Sequence, residues 1–209
     1  MSAPSMGARR TIVDAAVCVF DELGYPTSGL ADILRRAGVT KGAFYYHFTS
    51  KEAVALSIVE ATSLELVREL LDADPTVPAL ETMVRGSTVF AARMRDDPVL
   101  RTGIRLIKTF GGFHPATAPM CEQVQAVIEG LVRRAHAEGD LRNDADPKET
   151  SQLIVAAILG ADALVLGDMA AKPRVVADIW HVLIPMLAAP ESVAYLTDHL
   201  DRTVRLISH

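Results

Sequence analysis

Residues 27–51 read TSGLADILRRAGVTKGAFYYHFTSK, and this stretch predicts two short helices joined by a tight turn. The apolar residues of the first helix recur at the 3.6-residue helical period and share one face: Leu30, Ile33, Leu34 and Ala37. We expect Thr27 or Ser28 to cap the start of this helix. Gly38 ends it, because glycine adopts the left-handed backbone of such a turn without steric cost, and Thr40 is placed to cap the second helix. The pattern indicates a helix-turn-helix.

The second helix of this stretch carries side chains suited to contact with DNA. Lys41 and Lys51 offer positive charge to phosphates, threonine and tyrosine hydroxyls offer hydrogen bonds, and Gly42 allows close approach to the groove. Alternatively, residues 45–48, YYHF, form an aromatic core segment. We disfavour this because three adjacent ring residues on a helix cannot all point inward. The predicted DNA contacts are Thr27, Ser28, Thr40, Lys41, Gly42, Ala43, Tyr45, Tyr46, His47 and Lys51.

The residue order T-S-x-x-x-D-I-x-x-x-A-G-V-x-K-G-A-F-Y-Y-H-F-x-S-K-E, which begins at Thr27, resembles the DNA-binding half of TetR-type bacterial repressors. The resemblance implies an all-α fold with an N-terminal helix-turn-helix domain of three helices. It also implies a C-terminal helical domain that binds a small molecule and forms a homodimer. In such a dimer the two recognition helices must reach successive major grooves about 34 Å apart.

Composition and charge agree with a DNA-binding head joined to a helical core. The chain has 209 residues, 50% of them hydrophobic, and a net charge of −5. Residues 1–52 hold six basic and five acidic side chains, so the surplus of acid lies in the rest of the chain. Because no apolar run is long enough for a membrane span and the N-terminus lacks the apolar stretch of a signal peptide, we expect a cytoplasmic protein. The two cysteines, Cys18 and Cys121, are expected to be reduced.

The remaining sequence predicts helices only, separated by Pro, Gly and Asp. We predict a first helix at 9–24 and a long connecting helix from Lys51 to Leu71. Further helices are expected near 77–95, 98–109, 118–138, 146–169, 173–188 and 191–207. The predicted domains are 1–52 for DNA binding and 53–209 for ligand binding and dimerisation. The dimer is expected to form through 146–169 and 173–188, with Trp180 as an anchor.

No motif in the sequence indicates catalysis, a cofactor or a metal site. There is no Ser-His-Asp order, no phosphate-binding glycine loop and no HExxH or CxxC pair. A small-molecule site is better sought among polar residues on apolar helices. Besides Gln125 and Lys108, the candidates of this kind are Thr88, Thr102, Arg105, Gln123 and Trp180.

A closer resemblance connects the chain with the γ-butyrolactone receptors of actinomycetes. It rests on VTKGAFYYHFTSKEAVALSIVE, DDPVLRTGIRLI, IVAAILGADALVLG and DIWHVLIPML, which begin at residues 39, 96, 154 and 178. The resemblance adds Thr62 and Leu159 to the predicted ligand contacts, at positions where those receptors carry polar residues. It places Gln123 where they carry a tryptophan that stacks on the lactone. These departures indicate a ligand other than the usual lactone of those receptors. Because Arg105 and Lys108 are both basic, an anionic ligand stays an open alternative.

The resulting functional hypothesis is a homodimeric transcriptional repressor that a small signalling molecule releases from a pseudo-palindromic DNA operator. The signalling molecule is expected to resemble a γ-butyrolactone, a furan or an antibiotic. By resemblance, the repressor controls secondary-metabolite genes. Two alternatives stay open at this point: a DNA-binding regulator that responds to no ligand, and a helical small-molecule carrier or enzyme.

Overall fold

The architecture of the chain is α-helical. A computed structural model describes residues 6–71, 74, 76–111, 114–165 and 168–207. These residues form ten α-helices and, apart from an isolated antiparallel bridge between Leu141 and Ala188, no β pairing. The helices are α1 Met6–Leu23, α2 Leu30–Ala37, α3 Lys41–His47, α4 Lys51–Leu71, α5 Ala79–Asp96, α6 Pro98–Phe110, α7 Ala118–Glu138, α8 Pro147–Leu164, α9 Lys172–Leu187 and α10 Val193–Ile207. The predicted all-α fold is confirmed.

The chain divides into two compact units whose boundaries differ from the predicted boundary at 52/53. Unit 1 contains residues 1–64 and 97–121, and unit 2 contains residues 65–96 and 122–209. Helix α4 therefore contributes residues to both units, and α6 belongs to the unit that carries the helix-turn-helix. None of the helices in the described part of the chain is long and apolar enough to cross a membrane.

The core of unit 1 is built from α1, α2, α3, α6 and the first half of α4. Ile12, Ile33, Phe44 and Ile58 are fully buried in it, and α6 contributes Leu106. Burying these large apolar side chains stabilises the unit by roughly 1.5–3 kcal/mol each. The inclusion of α6 is what the sequence pattern did not predict.

Helix α6 is attached to α1 by an ion-pair cluster. Both nitrogens of an Arg101 fork donate to the Asp21 carboxylate, Nε at 3.1 Å and Nη2 at 2.7 Å, and Arg105 Nη1 donates to the same carboxylate at 2.8 Å. The Arg101 guanidinium holds the pKa of the Asp21 carboxyl below its usual value. On the neighbouring side, α6 approaches α4 so closely that a Cβ on Gly103 would overlap the Thr62 hydroxyl.

Unit 2 has its own core, formed by the end of α4 with α5, α7, α8, α9 and α10. Its fully buried residues include Val84, Val132, Trp180, Leu196 and Leu200. Asp146 begins α8 as predicted, with its carboxylate accepting a hydrogen bond from the Glu149 N–H at 2.8 Å. The helix ends at Leu164, five residues before the predicted end. The prediction was too long because apolar residues continue in the sequence beyond the last helical turn.

Candidate DNA-binding helix and ligand cavity

The turn between α2 and α3 has the geometry that its residues predict. Gly38 adopts a left-handed backbone, with φ 64° and ψ 27°, and the Thr40 hydroxyl accepts a hydrogen bond from the Ala43 N–H at 3.2 Å. The predicted cap of α2 is wrong: the N-cap is Gly29, and the Asp32 carboxylate accepts its N–H at 2.9 Å. Neither Thr27 nor Ser28 caps α2, because both hydroxyls donate to preceding carbonyls: Thr27 to Leu23 and Gly24, and Ser28 to Tyr25.

Helix α3 presents a polar and aromatic face to solvent. Phe44 is fully buried and holds the helix in the core of unit 1, while Tyr45 and Tyr46 are 48% and 69% exposed. The Lys41 ammonium, also exposed, lies 5.8 Å from the centre of the Tyr45 ring. His47 is half-buried, and its Nε2 has no hydrogen-bond partner in the protein. Exposed rings and a cation on one short helix offer contacts to phosphate and base edges.

Glycine at position 42 is not required by the protein itself. A Cβ added there would meet only the Thr40 Oγ1 atom, at an ordinary 3.9 Å, and the residue is exposed. Glycine nevertheless destabilises a helix relative to alanine, by about 0.5–1 kcal/mol. The absence of a side chain therefore fits the close approach of a partner outside the chain.

Three of the predicted DNA contacts lie outside α3 and its N-cap: Thr27 and Ser28 before α2, and Lys51 at the start of α4. The Lys51 ammonium donates to the carbonyl oxygens of Tyr25, at 2.7 Å, and Ser28, at 2.8 Å, and it lies 4.1 Å from the Tyr25 ring centre. Burial lowers the pKa of Lys51. Ser28 is buried, whereas Thr27 is exposed. Lys51 thus fixes the segment before α2, and its contact with DNA stays a prediction.

Unit 2 contains a partly open apolar cavity of about 90 Å³. Five helices contribute to its wall: the end of α4, and α5, α7, α8 and α9. The lining residues are Leu66, Leu70, Met83, Ser87, Val124, Ile128, Ile154, Val155, Ile158, Leu159 and Trp180. None of these eleven side chains ionises, so the wall offers no countercharge to a charged guest.

The two polar side chains of the cavity wall are bonded to one another. The Trp180 indole N–H donates to Ser87 Oγ at 2.7 Å, and the Ser87 hydroxyl in turn donates to the Met83 carbonyl at 2.8 Å. Trp180 is fully buried within unit 2. Its predicted role as a dimer anchor is therefore wrong, because a side chain without exposed surface cannot enter an interface.

The remaining predicted ligand contacts do not line this cavity. Thr62, Thr102 and Arg105 belong to unit 1, where Thr62 lies against Gly103 and Arg105 pairs with Asp21. Thr88 is buried and donates to the carbonyl of Val84 at 2.7 Å, while Gln123 is exposed to solvent and Gln125 Nε2 donates to Ser151 Oγ at 2.7 Å. Of the predicted set, Leu159 and Trp180 lie in the wall.

Sequence reasoning missed most of the cavity. Its lining is aliphatic, and an aliphatic residue that faces a void has the same helical spacing as one that fills a core. Ser87 is the member that the sequence could have identified, since it is a small polar residue on a helix where the neighbouring positions Val84 and Ala91 are apolar and buried.

Comparison with known families agrees with the geometry of both units. Residues 12–58, which contain the helix-turn-helix, match the model for bacterial regulatory proteins of the tetR family. Residues 77–189 match the model for the Tetracyclin repressor-like C-terminal domain. Together the two matches span the helix-turn-helix and four of the five helices that line the cavity, α5, α7, α8 and α9.

Individual relatives give the same result. The A-factor receptor protein of Streptomyces griseus is 33% identical over 189 residues, which is 90% of this chain and 66% of the receptor. The chain thus spans just under two thirds of that relative's length. CprB from Streptomyces coelicolor is 30% identical with a TM-score of 0.79, over 95% of this chain and 97% of CprB. A γ-butyrolactone receptor described as ArpA-like is 28% identical with a TM-score of 0.79, over 96% and 98% of the two chains. The chain belongs to the TetR family of bacterial regulatory proteins.

Proposed function

We propose that this chain is a homodimeric transcriptional repressor, released from its DNA operator by a small uncharged molecule. The observation that carries the proposal is helix α3, which exposes Lys41, Tyr45 and Tyr46 while Phe44 fixes it in the core. An exposed recognition helix of this kind enters the major groove in helix-turn-helix proteins. The CprB relative has been solved in complex with its operator sequence, which supports the same role for α3 here.

The cavity of unit 2 is the proposed ligand site. Its volume of about 90 Å³ is below the roughly 300–1,000 Å³ typical of ligand pockets, so a larger guest would either extend through the open side of the cavity or displace part of the wall. Leu66 and Leu70 of α4 form part of that wall, and α4 also contributes Ile58 to the core of unit 1. Enlargement of the cavity would therefore move a helix that both units share.

The proposed dimer surface lies on α8 and α9. Large apolar side chains on these two helices are exposed in the single chain: Leu153, Leu159, Leu164, Val182 and Met186, the last two 61% and 55% exposed. Exposed apolar patches of this kind usually mark an interaction surface. A second copy of the chain would cover them and would bring two copies of α3 to one operator.

The class of ligand and of target gene follows from the relatives. Because the similar proteins include an A-factor receptor and a γ-butyrolactone receptor, we propose a small signalling molecule as the ligand. By the same resemblance, the controlled genes are those of secondary metabolism.

A mobility-shift assay tests the proposal. The purified protein is titrated on DNA from upstream of its own gene, at several salt concentrations, and then with an extract of the producing culture. We expect a specific shift that weakens steeply with salt, because phosphate contacts release counterions, and that the extract reverses. A shift that no extract reverses would favour the regulator without a ligand, and the absence of any specific shift would refute the proposal.

Point variants locate the DNA contact. Lys41→Ala and Tyr45→Ala are each expected to weaken operator binding at least tenfold, while the dimer remains intact on gel filtration. Lys148→Ala is the matched control, since Lys148 is an exposed lysine on α8 of unit 2. Unchanged operator affinity in both α3 variants would remove α3 from the DNA interface.

A further inference from the structure

Two hydrogen-bond donors of the cavity wall could bind a polar guest, the indole N–H of Trp180 and the hydroxyl of Ser87. The indole N–H is occupied, because it lies 2.7 Å from Ser87 Oγ. The Ser87 hydroxyl uses its own hydrogen on the Met83 carbonyl at 2.8 Å, with the Val84 carbonyl at 3.2 Å as a second acceptor. Each hydrogen of the pair thus has an acceptor within the protein.

A guest that can only accept hydrogen bonds would therefore lose its bonds to water without gaining equivalent ones in the cavity. A carbonyl transferred to an apolar site without a partner costs about 1–3 kcal/mol, and a buried charge costs more. To obtain the indole N–H, a guest must first break its bond to Ser87 and leave that oxygen with an unused lone pair. The exchange brings no net gain in hydrogen bonding.

We infer that Ser87 is a specificity-determining residue, which occupies the Trp180 N–H and so makes the cavity favour hydrocarbon groups over carbonyl and carboxylate groups. The inference rests on the proposed function, in which this cavity is the ligand site. A signalling molecule would place an aliphatic chain or ring here, where it meets the Trp180 ring and side chains such as Leu66 and Ile154. Removal of the Ser87 hydroxyl would free the indole donor and extend the specificity of the cavity to carbonyl compounds.

The chain has a single tryptophan, so its ¹H–¹⁵N spectrum contains one indole resonance that reports on the cavity directly. We would titrate the full-length protein with three probes of similar size: cyclopentane, cyclopentanone and cyclobutanecarboxylate. For the wild-type protein we expect saturable shifts of the indole resonance with cyclopentane, at least threefold weaker binding of cyclopentanone, and no binding of the carboxylate.

The Ser87→Ala variant tests the role assigned to the hydroxyl. We expect its indole resonance to move in the free protein, and its affinity for cyclopentanone relative to cyclopentane to rise about three- to tenfold, the value of one hydrogen bond. Thr82→Val is the matched control, because Thr82 is a buried residue of α5 whose hydroxyl donates to the Pro78 carbonyl and does not line the cavity. Its preference among the probes should equal that of the wild type.

The outcomes separate this inference from the proposed function, provided that operator binding is measured on the same samples. The inference is overturned if the carboxylate or the ketone binds the wild type as well as cyclopentane does, if no probe shifts the indole resonance, or if Ser87→Ala leaves the ratio of ketone to hydrocarbon binding unchanged. None of these results contradicts the proposed repressor function, provided that the protein still shifts the operator DNA. Loss of the operator shift in the wild type would instead refute the proposed function.

Discussion

Substitution of Gly42 by alanine should raise the stability of the protein and lower its affinity for DNA. Gly42 lies in the first turn of α3, where a Cβ would have only the Thr40 Oγ1 atom nearby, at 3.9 Å. Alanine therefore introduces no clash and reduces the conformational entropy of the unfolded chain, so we expect a gain of about 0.5–1 kcal/mol. For a chain of this length that gain corresponds to a rise in Tm of roughly 1–4 °C.

The loss of DNA affinity would come from the partner. If the backbone at Gly42 approaches the groove or a phosphate, a methyl group separates the two surfaces and lengthens the neighbouring hydrogen bonds. Weakening one or two charge-assisted hydrogen bonds, at about 1.5–3 kcal/mol each, corresponds to a tenfold or greater increase in Kd. Two measurements thus change in opposite directions after the same substitution.

The assay pairs calorimetry with fluorescence anisotropy on labelled operator DNA, at fixed protein concentration because the stability of a dimer depends on it. Gly130→Ala is the matched control, since Gly130 is an exposed glycine of α7 with no atom within 4 Å of an added Cβ. It should raise Tm by a similar amount and leave operator affinity unchanged. If Gly42→Ala binds the operator as tightly as the wild type, the argument that a partner requires this glycine is refuted.

Three further substitutions test the architecture. Gly103→Ala should lower the stability by about 1–3 kcal/mol, because the new Cβ would lie 2.6 Å from Thr62 Cβ; a Tm at or above the wild-type value would contradict this packing. Asp21→Asn should lower the stability by roughly 1 kcal/mol at neutral pH, where the carboxylate paired with Arg101 is charged. Because that pairing lowers the pKa of Asp21, its contribution to stability is present above the ordinary carboxyl pKa and is lost as the pH falls through the lowered value. The unfolding free energies of the wild type and the variant should therefore converge in acid. Parallel pH profiles would argue against the ion pair. Val182→Glu should produce monomers in light scattering and weaken operator binding, and a dimer that persists would exclude this face of α9.

The sequence was sufficient to predict the helices but not their assignment to units. Periodicity and turn residues predicted the turn at Gly38 and the start of α6 at Pro98, where the Asp97 carboxylate accepts the Val99 N–H at 2.9 Å. The contacts that hold α6 in unit 1 join residues far apart in the sequence, such as the ion pair between Asp21 and Arg101, which are 80 residues apart. No local pattern encodes such a pair, since exposed and paired arginines look alike in a sequence.

The candidate sites differ in how far the sequence revealed them, for a related reason. Helix α3 combines residues that are unusual together, a glycine, a lysine and adjacent rings, so composition alone indicates an exposed face. The cavity of unit 2 results from the packing of five helices, and its wall is made of the same aliphatic residues as the surrounding core. Polar residues such as Thr88, which the sequence suggests as ligand contacts, instead donate hydrogen bonds to carbonyls of their own helix.

The properties of α4 explain how a guest in the cavity could alter DNA binding. Residues 51–71 contain no glycine or proline, the usual causes of helix kinks, so a displacement at Leu66 is expected to move the helix as a rod. Ile58, in the core of unit 1, lies eight residues earlier, or about 12 Å along the axis. The ammonium of Lys51, the first residue of α4, donates hydrogen bonds to the carbonyls of Tyr25 and Ser28, which lie between α1 and α2. A guest that pushes Leu66 outwards would therefore act on the helix-turn-helix through one stiff element, and flexible loops would not be needed to carry the change.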